Sequence, residues 1–212
     1  MAMNLVKLPT GKPNLQLRVS KAHYATSHSH INYYIDVTLT KFRLSEARAA
    51  AAELVRAYKS TTIVDTILCL DGTEVIGACM ASELTKAGYT NMNAHQTIYV
   101  VTPEHTTGSQ LLFRENTAPM IAGKHVLVLA ASVTTGYTVQ GAVEAIRYYG
   151  GDPAGIAAIF ASVKECADYP VASIFDPHDL PDYETYDAHN CPWCRQGKKI
   201  DALVNSFGYS SL

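Results

Sequence analysis

The residues of this chain best suited to chemistry are Thr134, Thr135, Gly136, Tyr137 and Thr138. They stand between a short apolar run, Val126 to Leu129, and a helix-forming stretch that ends at Gly150-Gly151. Hydroxyls and a glycine at a helix entrance sit beside backbone N–H groups that have no partner within the helix. The positive end of the helix dipole lies at the same place. A phosphate suits such an entrance. An ordinary strand-to-helix turn uses the same residue types, so the loop by itself supports both readings.

Cys191-Pro-Trp-Cys194 has the spacing of a metal knuckle or a redox pair. A structural zinc needs four ligands, so the others would have to come from His189, Cys166, His178 or a second chain. His23, His28, His30 and His95 show no metal spacing beside a carboxylate pair. A thioredoxin-type redox pair opens a helix just after a strand, whereas this one follows an irregular Asp- and Pro-rich run. The expectation is a structural tail with no metal, packed by Trp193, with zinc and redox roles as the alternatives. Asp65 and Asp71, on a strand and the turn after it, do not make a facing acid–base pair.

The elements that must position these residues follow from periodicity. Residues 15–40 read as extended, with Tyr33 to Leu39 alternating around β-formers. A helix runs from Ser45, its expected cap, to Tyr58. Strands are predicted at 61–70, 97–101, 125–130, 155–160 and 171–175. Helices are predicted from the Asp71–Gly77 turn to about Gly88, and over 138–149, where Gly150-Gly151 stops the chain. Residues 103–120 have no clear period and read as a long mobile loop. Strands alternating with helices argue for a parallel sheet covered on both faces. In such a sheet the turns after 61–70 and 125–130 share the carboxyl edge, where ligands bind.

Bulk properties exclude several classes. With 212 residues, 48% hydrophobic and 17% charged, the chain is a folded domain with a sizeable core. A net charge of −2 leaves no general footprint for nucleic acid or an anionic membrane. No apolar run reaches the length of a membrane span. Five cysteines, and an N-terminus without a signal-peptide core, predict a cytoplasmic protein with free thiols.

The segment 125–150 resembles the phosphoribosyl diphosphate (PRPP) signature of the type I phosphoribosyltransferases. That signature is a hydrophobic strand, two acidic residues, one or two small residues, Thr-Thr-Gly or a close variant, and then Ser or Thr. The strand, Thr134-Thr135-Gly136 and Thr138 match; the acidic pair is replaced by Ala130 and Ala131. In the family those carboxylates hold the ribose hydroxyls, which an alanine side chain cannot do. The orotate enzymes are the nearest branch. His28 to Asp36, with Tyr33-Tyr34-x-Asp36, resembles their N-terminal hairpin. Cys69 to Gly77 stands where they carry a diphosphate loop. By that resemblance Asp71 and Gly72 form a tight turn while Thr73 and Glu74 offer N–H donors; an N-capped turn fits these residues equally well. The tail Cys191-Pro-Trp-Cys194, followed by lysines and a glycine, is also similar to one found in some orotate-type enzymes, with no metal implied.

The departures cluster on the chemistry. The basic mobile loop of the orotate enzymes corresponds to residues 101–110, which retain His105 and Gly108 but no lysine; Arg114 is the nearest strong base. Phe160-Ala-Ser-Val163, with Lys164 beyond, stands where the family places a carboxylate-binding arginine. The resemblance implies an α/β fold, a mainly parallel sheet flanked by helices. It divides the single domain 1–212 into an N-terminal hood or hairpin (1–42), a core (43–175) and a C-terminal tail (176–212). It also implies a phosphoribosyl ligand (PRPP, a 5-phosphorylated ribose or a nucleotide), Mg²⁺ with PRPP if the protein is catalytic, and a homodimer. The losses point to transfer to a base other than orotate, or to a non-catalytic nucleotide- or phosphoribose-binding regulator; catalytic residues are not assigned.

Overall fold

The computed structural model describes residues 4–106 and 110–212. Strand β1 (Val6–Leu8) pairs with β2 (Leu17–Ala25), which forms an antiparallel hairpin with β3 (Ser29–Asp36). Lys21 lies opposite Tyr33 and Tyr24 opposite Ile31, so Ala22 and His23 together face Asn32. This bulge re-aims the side chains of β2. Helices α1 (Thr38–Phe42) and α2 (Leu44–Leu54) follow. Ala47, Ala50, Ala51 and Leu54 make one buried stripe of α2 at helical spacing. The expected cap at Ser45 is not found. The helix starts a residue earlier, with Arg43 as N-cap and no side-chain cap bond, so Ser45 lies inside the first turn. Glu46 reaches the hairpin instead and takes a two-pronged ion pair from Arg18, at 2.9 and 2.7 Å.

The core continues through β4 (Thr66–Cys69), α3 (Glu74–Leu84) and β5 (Tyr99–Val101). A small antiparallel ribbon, β6 (Glu104–His105) with β7 (Leu111–Leu112), comes next. Then follow β8 (His125–Val133), α4 (Tyr137–Tyr148), β9 (Asp152–Ala161), β10 (Glu165–Cys166) and β11 (Tyr169–Phe175). The expected loop 103–120 therefore contains regular structure: the ribbon, and a short 3₁₀ turn at Ala118–Met120. Local pairing such as that of His105 with Leu111 needs no long hydrophobic period. Thr107, Gly108 and Ser109 lie outside the described residues.

The central sheet has the order β10-β11-β9-β8-β4-β5, parallel except at the β10 edge. Its strands are nearly continuous apolar runs because both faces are covered. Leu127, Leu129, Ala157 and Ile159 pack toward Ala47, Ala50 and Ile76 of α2 and α3. Val126, Val128, Ala130 and Ala158 pack toward Val139, Ala142 and Ile146 of α4.

The C-terminal segment adds β12 (Thr185–Asp187), the single helical turn α5 (Pro192–Arg195), β13 (Ala202–Asn205) and β14 (Gly208–Ser211). These strands join the N-terminal hairpin in a second sheet, β12-β3-β2-β13-β14, with β1 alongside β2. The hood is thus built from both ends of the chain. Among the described residues no helix is long and apolar enough to cross a membrane.

Candidate functional site

From β4 the chain crosses to β5 on one side, while β8 lies on the other. The topology therefore switches between β4 and β8, and a crevice opens there at the carboxyl ends of the strands. Asp71 lies just beyond β4, and Ala131, Ser132 and Val133 end β8; all four line one cleft. The backbone N–H of Ala131 donates to Asp71 Oδ2 at 3.4 Å, joining the two loops. Thr134, Thr135, Gly136, Tyr137 and Thr138 line the same cleft. The hairpin tip, Thr26 to Ser29, closes it from above, and the His28 ring lies 5.0 Å from that of Tyr137.

Gly136 adopts φ +83° as N-cap of α4, and no side chain caps that helix. The N–H groups of its first turn are thus free of intrahelical and side-chain partners. Ser132, Thr135 and Thr138 are exposed, with hydroxyls open to the cleft. Thr134 is held from behind, its carbonyl accepting the Ser162 hydroxyl at 2.9 Å. A Cβ on Gly136 would meet Cys166 Sγ at 2.7 Å. The glycine is therefore demanded by its left-handed backbone and by the packing behind the loop, in addition to any close approach of a ligand.

The residues of the second predicted loop separate. Asp71 and Gly72 form the tight turn with φ +59° and +75°. Thr73 is fully buried, and both of its donors are committed. Its N–H goes to the Leu70 carbonyl, and its hydroxyl bonds the carbonyls of Leu70 and Leu129 at 2.7 and 3.1 Å. The Glu74 carboxylate accepts the Thr102 hydroxyl at 3.2 Å. Of these four residues Asp71 alone lines the cleft. Sequence reasoning missed Lys41, which is buried in α1 and donates to the carbonyls of Asp71 and Ser206, both at 2.7 Å. Burial pushes its ammonium pKa down, while Asp71, Glu74 and Asp36 pull the other way.

Phe160 and Tyr183 form an aromatic wall, with ring centres 5.4 Å apart. Burial pushes the Tyr183 phenol up to about 12, against hydrogen bonds with Thr134, Ser162 and Thr185. It stays a protonated donor at neutral pH. No arginine or lysine is among the described residues that line the cleft. Arg114 is instead paired with Glu104 at 2.7 Å, and Lys164 is exposed outside the cleft. Asp65 lies at the opposite edge of the sheet from Asp71 and bonds His125 Nδ1 at 2.8 Å.

A second constellation pairs histidines with the Cys191 and Cys194 thiols, not with carboxylates. His23 and His30, brought together by the β2 bulge, meet Cys191 and Cys194, with ligating atoms all within 4.8 Å of one another. Neither His189 nor His178 takes part.

No family model matches the sequence, and no curated protein does. Solved structures do. A phosphoribosyltransferase from Corynebacterium diphtheriae is 21% identical, with 76% of this chain and 90% of that one covered and a TM-score of 0.50. Orotate phosphoribosyltransferase of Mycobacterium tuberculosis in complex with Fe(III) dicitrate is 17% identical, with 77% and 92% covered and a TM-score of 0.53. This chain has the type I phosphoribosyltransferase fold. The M. tuberculosis enzyme in complex with 5-phospho-α-D-ribosyl 1-diphosphate superposes with a TM-score of 0.51 at 17% identity, over 70% of this chain and 83% of that one. Within the type I phosphoribosyltransferase fold, the Thr134–Thr138 loop and Asp71 flank the topological switch point, and Ala130 and Ala131 lie in the second half of β8.

Proposed function

We propose that this protein binds a 5-phosphorylated ribose, carried by PRPP or by a nucleotide, with the phosphate on the Thr134–Thr138 loop. The observation that carries the reading is the uncapped α4 N-terminus, which opens into a cleft together with the Ser132, Thr135 and Thr138 hydroxyls. Phosphate is the ligand such donors favour. The ribose would lie across Ala131 toward Asp71, and a planar base would meet Phe160 and Tyr183. The diphosphate of PRPP would face the Asp71–Gly72 turn, where the buried Lys41 supplies positive charge behind the carbonyl it holds. Thr73 and Glu74 belong to that turn as structure and as helix start.

Mg²⁺ fits as a ligand-borne ion. Asp71 is the single carboxylate among the described residues lining the cleft, and Mg²⁺ is commonly held by one or two carboxylates with substrate phosphates supplying the rest. When bound, it neutralises charge on the diphosphate. Transfer passes through a positively charged ribose, so negative charge near the sugar stabilises the transition state. Ala130 faces the core and Ala131 the cleft, so no carboxylate holds the ribose hydroxyls from this strand. Turnover of orotate is accordingly absent or very weak. The remaining choice lies between transfer to another base and binding for regulation, and release of diphosphate from PRPP and Mg²⁺ across a panel of bases separates them. Release with one base identifies a transferase. No release, with measurable nucleotide binding, identifies a regulator. Orotidine monophosphate formation at about 1 per second or faster overturns the assignment of chemistry to the missing acids.

A further inference from the structure

We propose that His23, His30, Cys191 and Cys194 hold one Zn²⁺ ion in a closed, structural site. Zinc bound to two thiolates and two imidazoles is tetrahedral, with Zn–S about 2.3 Å and Zn–N about 2.0–2.1 Å. That geometry sets ligand atoms about 3.3 Å apart for two nitrogens and about 3.6 Å apart for a sulfur and a nitrogen. His23 Nε2 lies 3.1 Å from His30 Nδ1, and Cys191 Sγ lies 3.5 Å from His23 Nε2. Cys194 Sγ lies 3.3 Å from His30 Nδ1 and 3.8 Å from His23 Nε2. The side chains are arranged as a ligand shell.

The protonation pattern agrees. His23 Nδ1 faces two acceptors, the carbonyls of Lys198 and Lys199, each at 3.1 Å. A carbonyl can only accept, so Nδ1 carries the ring proton and Nε2 turns a lone pair into the cluster. A backbone carbonyl on the outer nitrogen is the usual way a metal-ligating histidine is oriented. The His23 backbone is clamped as well: its N–H donates to Asp201 Oδ2 at 2.9 Å, and its carbonyl accepts the Asp201 N–H at 2.8 Å. Trp193 packs edge-on to the His23 ring, with centres 5.2 Å apart.

Electrostatics select a dication with two thiolates. His23, His30 and Cys191 are buried and Cys194 is at the surface. Zn²⁺ with two thiolates and two neutral imidazoles has no net charge, which suits a site of low dielectric. Binding breaks two S–H bonds, forms two Zn–S bonds and releases both protons to solvent, with no redox change. All four positions come from protein, so no site is left for substrate, and the ion acts on the fold. It ties the hairpin of β2 and β3 to the C-terminal segment, residues 168 apart in sequence.

The test uses untagged full-length protein purified without chelator. Elemental analysis should give one zinc per chain. Loading the reduced, metal-free protein with Co²⁺ should give the visible bands of tetrahedral cobalt with thiolate charge transfer, and should release two protons per ion. Cys194→Ser, at the partly open ligand, should lose the ion to a competing chelator, whereas Cys79→Ser, outside the cluster, should keep it. Metal-free protein should melt several degrees lower and recover on adding Zn²⁺. If Cys194→Ser fails to fold, Co²⁺ titration of the reduced wild type decides alone. No cobalt spectrum in reduced wild type, a Cys191–Cys194 disulfide that persists in place of metal, or full retention of zinc by Cys194→Ser would overturn the proposal.

Discussion

The ring of His28 rests 5.0 Å from that of Tyr137, the first residue of α4. The hairpin tip therefore closes on the helix whose N-terminus faces the cleft. An aromatic pair of this kind contributes about 0.5–1.5 kcal/mol. His28→Ala should weaken ribose 5-phosphate binding by about 2- to 10-fold, with little change in melting temperature because His28 is exposed. Calorimetric titration reads this directly; unchanged affinity would mean that the hairpin does not cover the ligand.

Glu46 and Arg18 are both buried, at 6% exposure each, and bond in two places. Glu46→Ala leaves a guanidinium in the interior without its counter-charge. Such a change costs about 3–5 kcal/mol, measured by urea denaturation. The double replacement Arg18→Met with Glu46→Leu should cost less than Glu46→Ala alone. A larger loss in the double variant would show that packing, not charge, makes this contact.

The core was legible in the sequence because its signals are local. Val126 to Leu129 is a β-branched run, and Thr134 to Gly136 followed by an amphipathic stretch specifies a strand, a loop and a helix in order. The hood was not. β13 pairs in parallel with β2 between residues such as Ala202 and Tyr24, and no local pattern announces a partner so far away in sequence. The cluster of His23, His30, Cys191 and Cys194 was hidden for the same reason. His23 and His30 converge only after a bulge shifts the register, and Cys191 arrives from the opposite end of the chain. The family resemblance offered Thr73 as an N–H donor or as part of a capped turn; in the fold its N–H and hydroxyl bond the carbonyls of Leu70 and Leu129.

Asp65 sets a pH dependence. Burial raises the pKa of its carboxyl, but hydrogen bonds from the His125 backbone and ring, with charge from His125 and Lys124, outweigh this and leave it below the ordinary value of 3.8. A carboxylate with a depressed folded pKa contributes stability that is present above the unfolded pKa and is lost as pH falls through the folded one. The advantage of wild type over Asp65→Asn should therefore hold at about pH 6 and shrink between about pH 5 and pH 3. Denaturation midpoints of both proteins across that range check it; a gap that stays constant would show that the ion pair adds nothing.

Lys41 gives a sharper test of the turn at Asp71. Lys41→Met removes the donor shared by the carbonyls of Asp71 and Ser206. Leaving buried acceptors unpaired costs about 1–3 kcal/mol, and on the proposed placement of the diphosphate at this turn PRPP affinity should fall more than ribose 5-phosphate affinity. Equal losses for the two ligands would place the diphosphate elsewhere.

Calorimetric titration of ribose 5-phosphate, with ribose as control, tests the central claim most directly. The parent protein and the double variant Thr135→Val with Thr138→Val should be compared, since these exposed hydroxyls do not support the fold. A hydrogen bond to a charged group is worth about 1.5–3 kcal/mol. The parent should bind ribose 5-phosphate far more tightly than ribose, and the variant should lose about 10- to 100-fold or more of that affinity. Equal binding of the two sugars by the parent, or equal affinity of parent and variant for ribose 5-phosphate, would contradict a phosphate site at Thr134–Thr138.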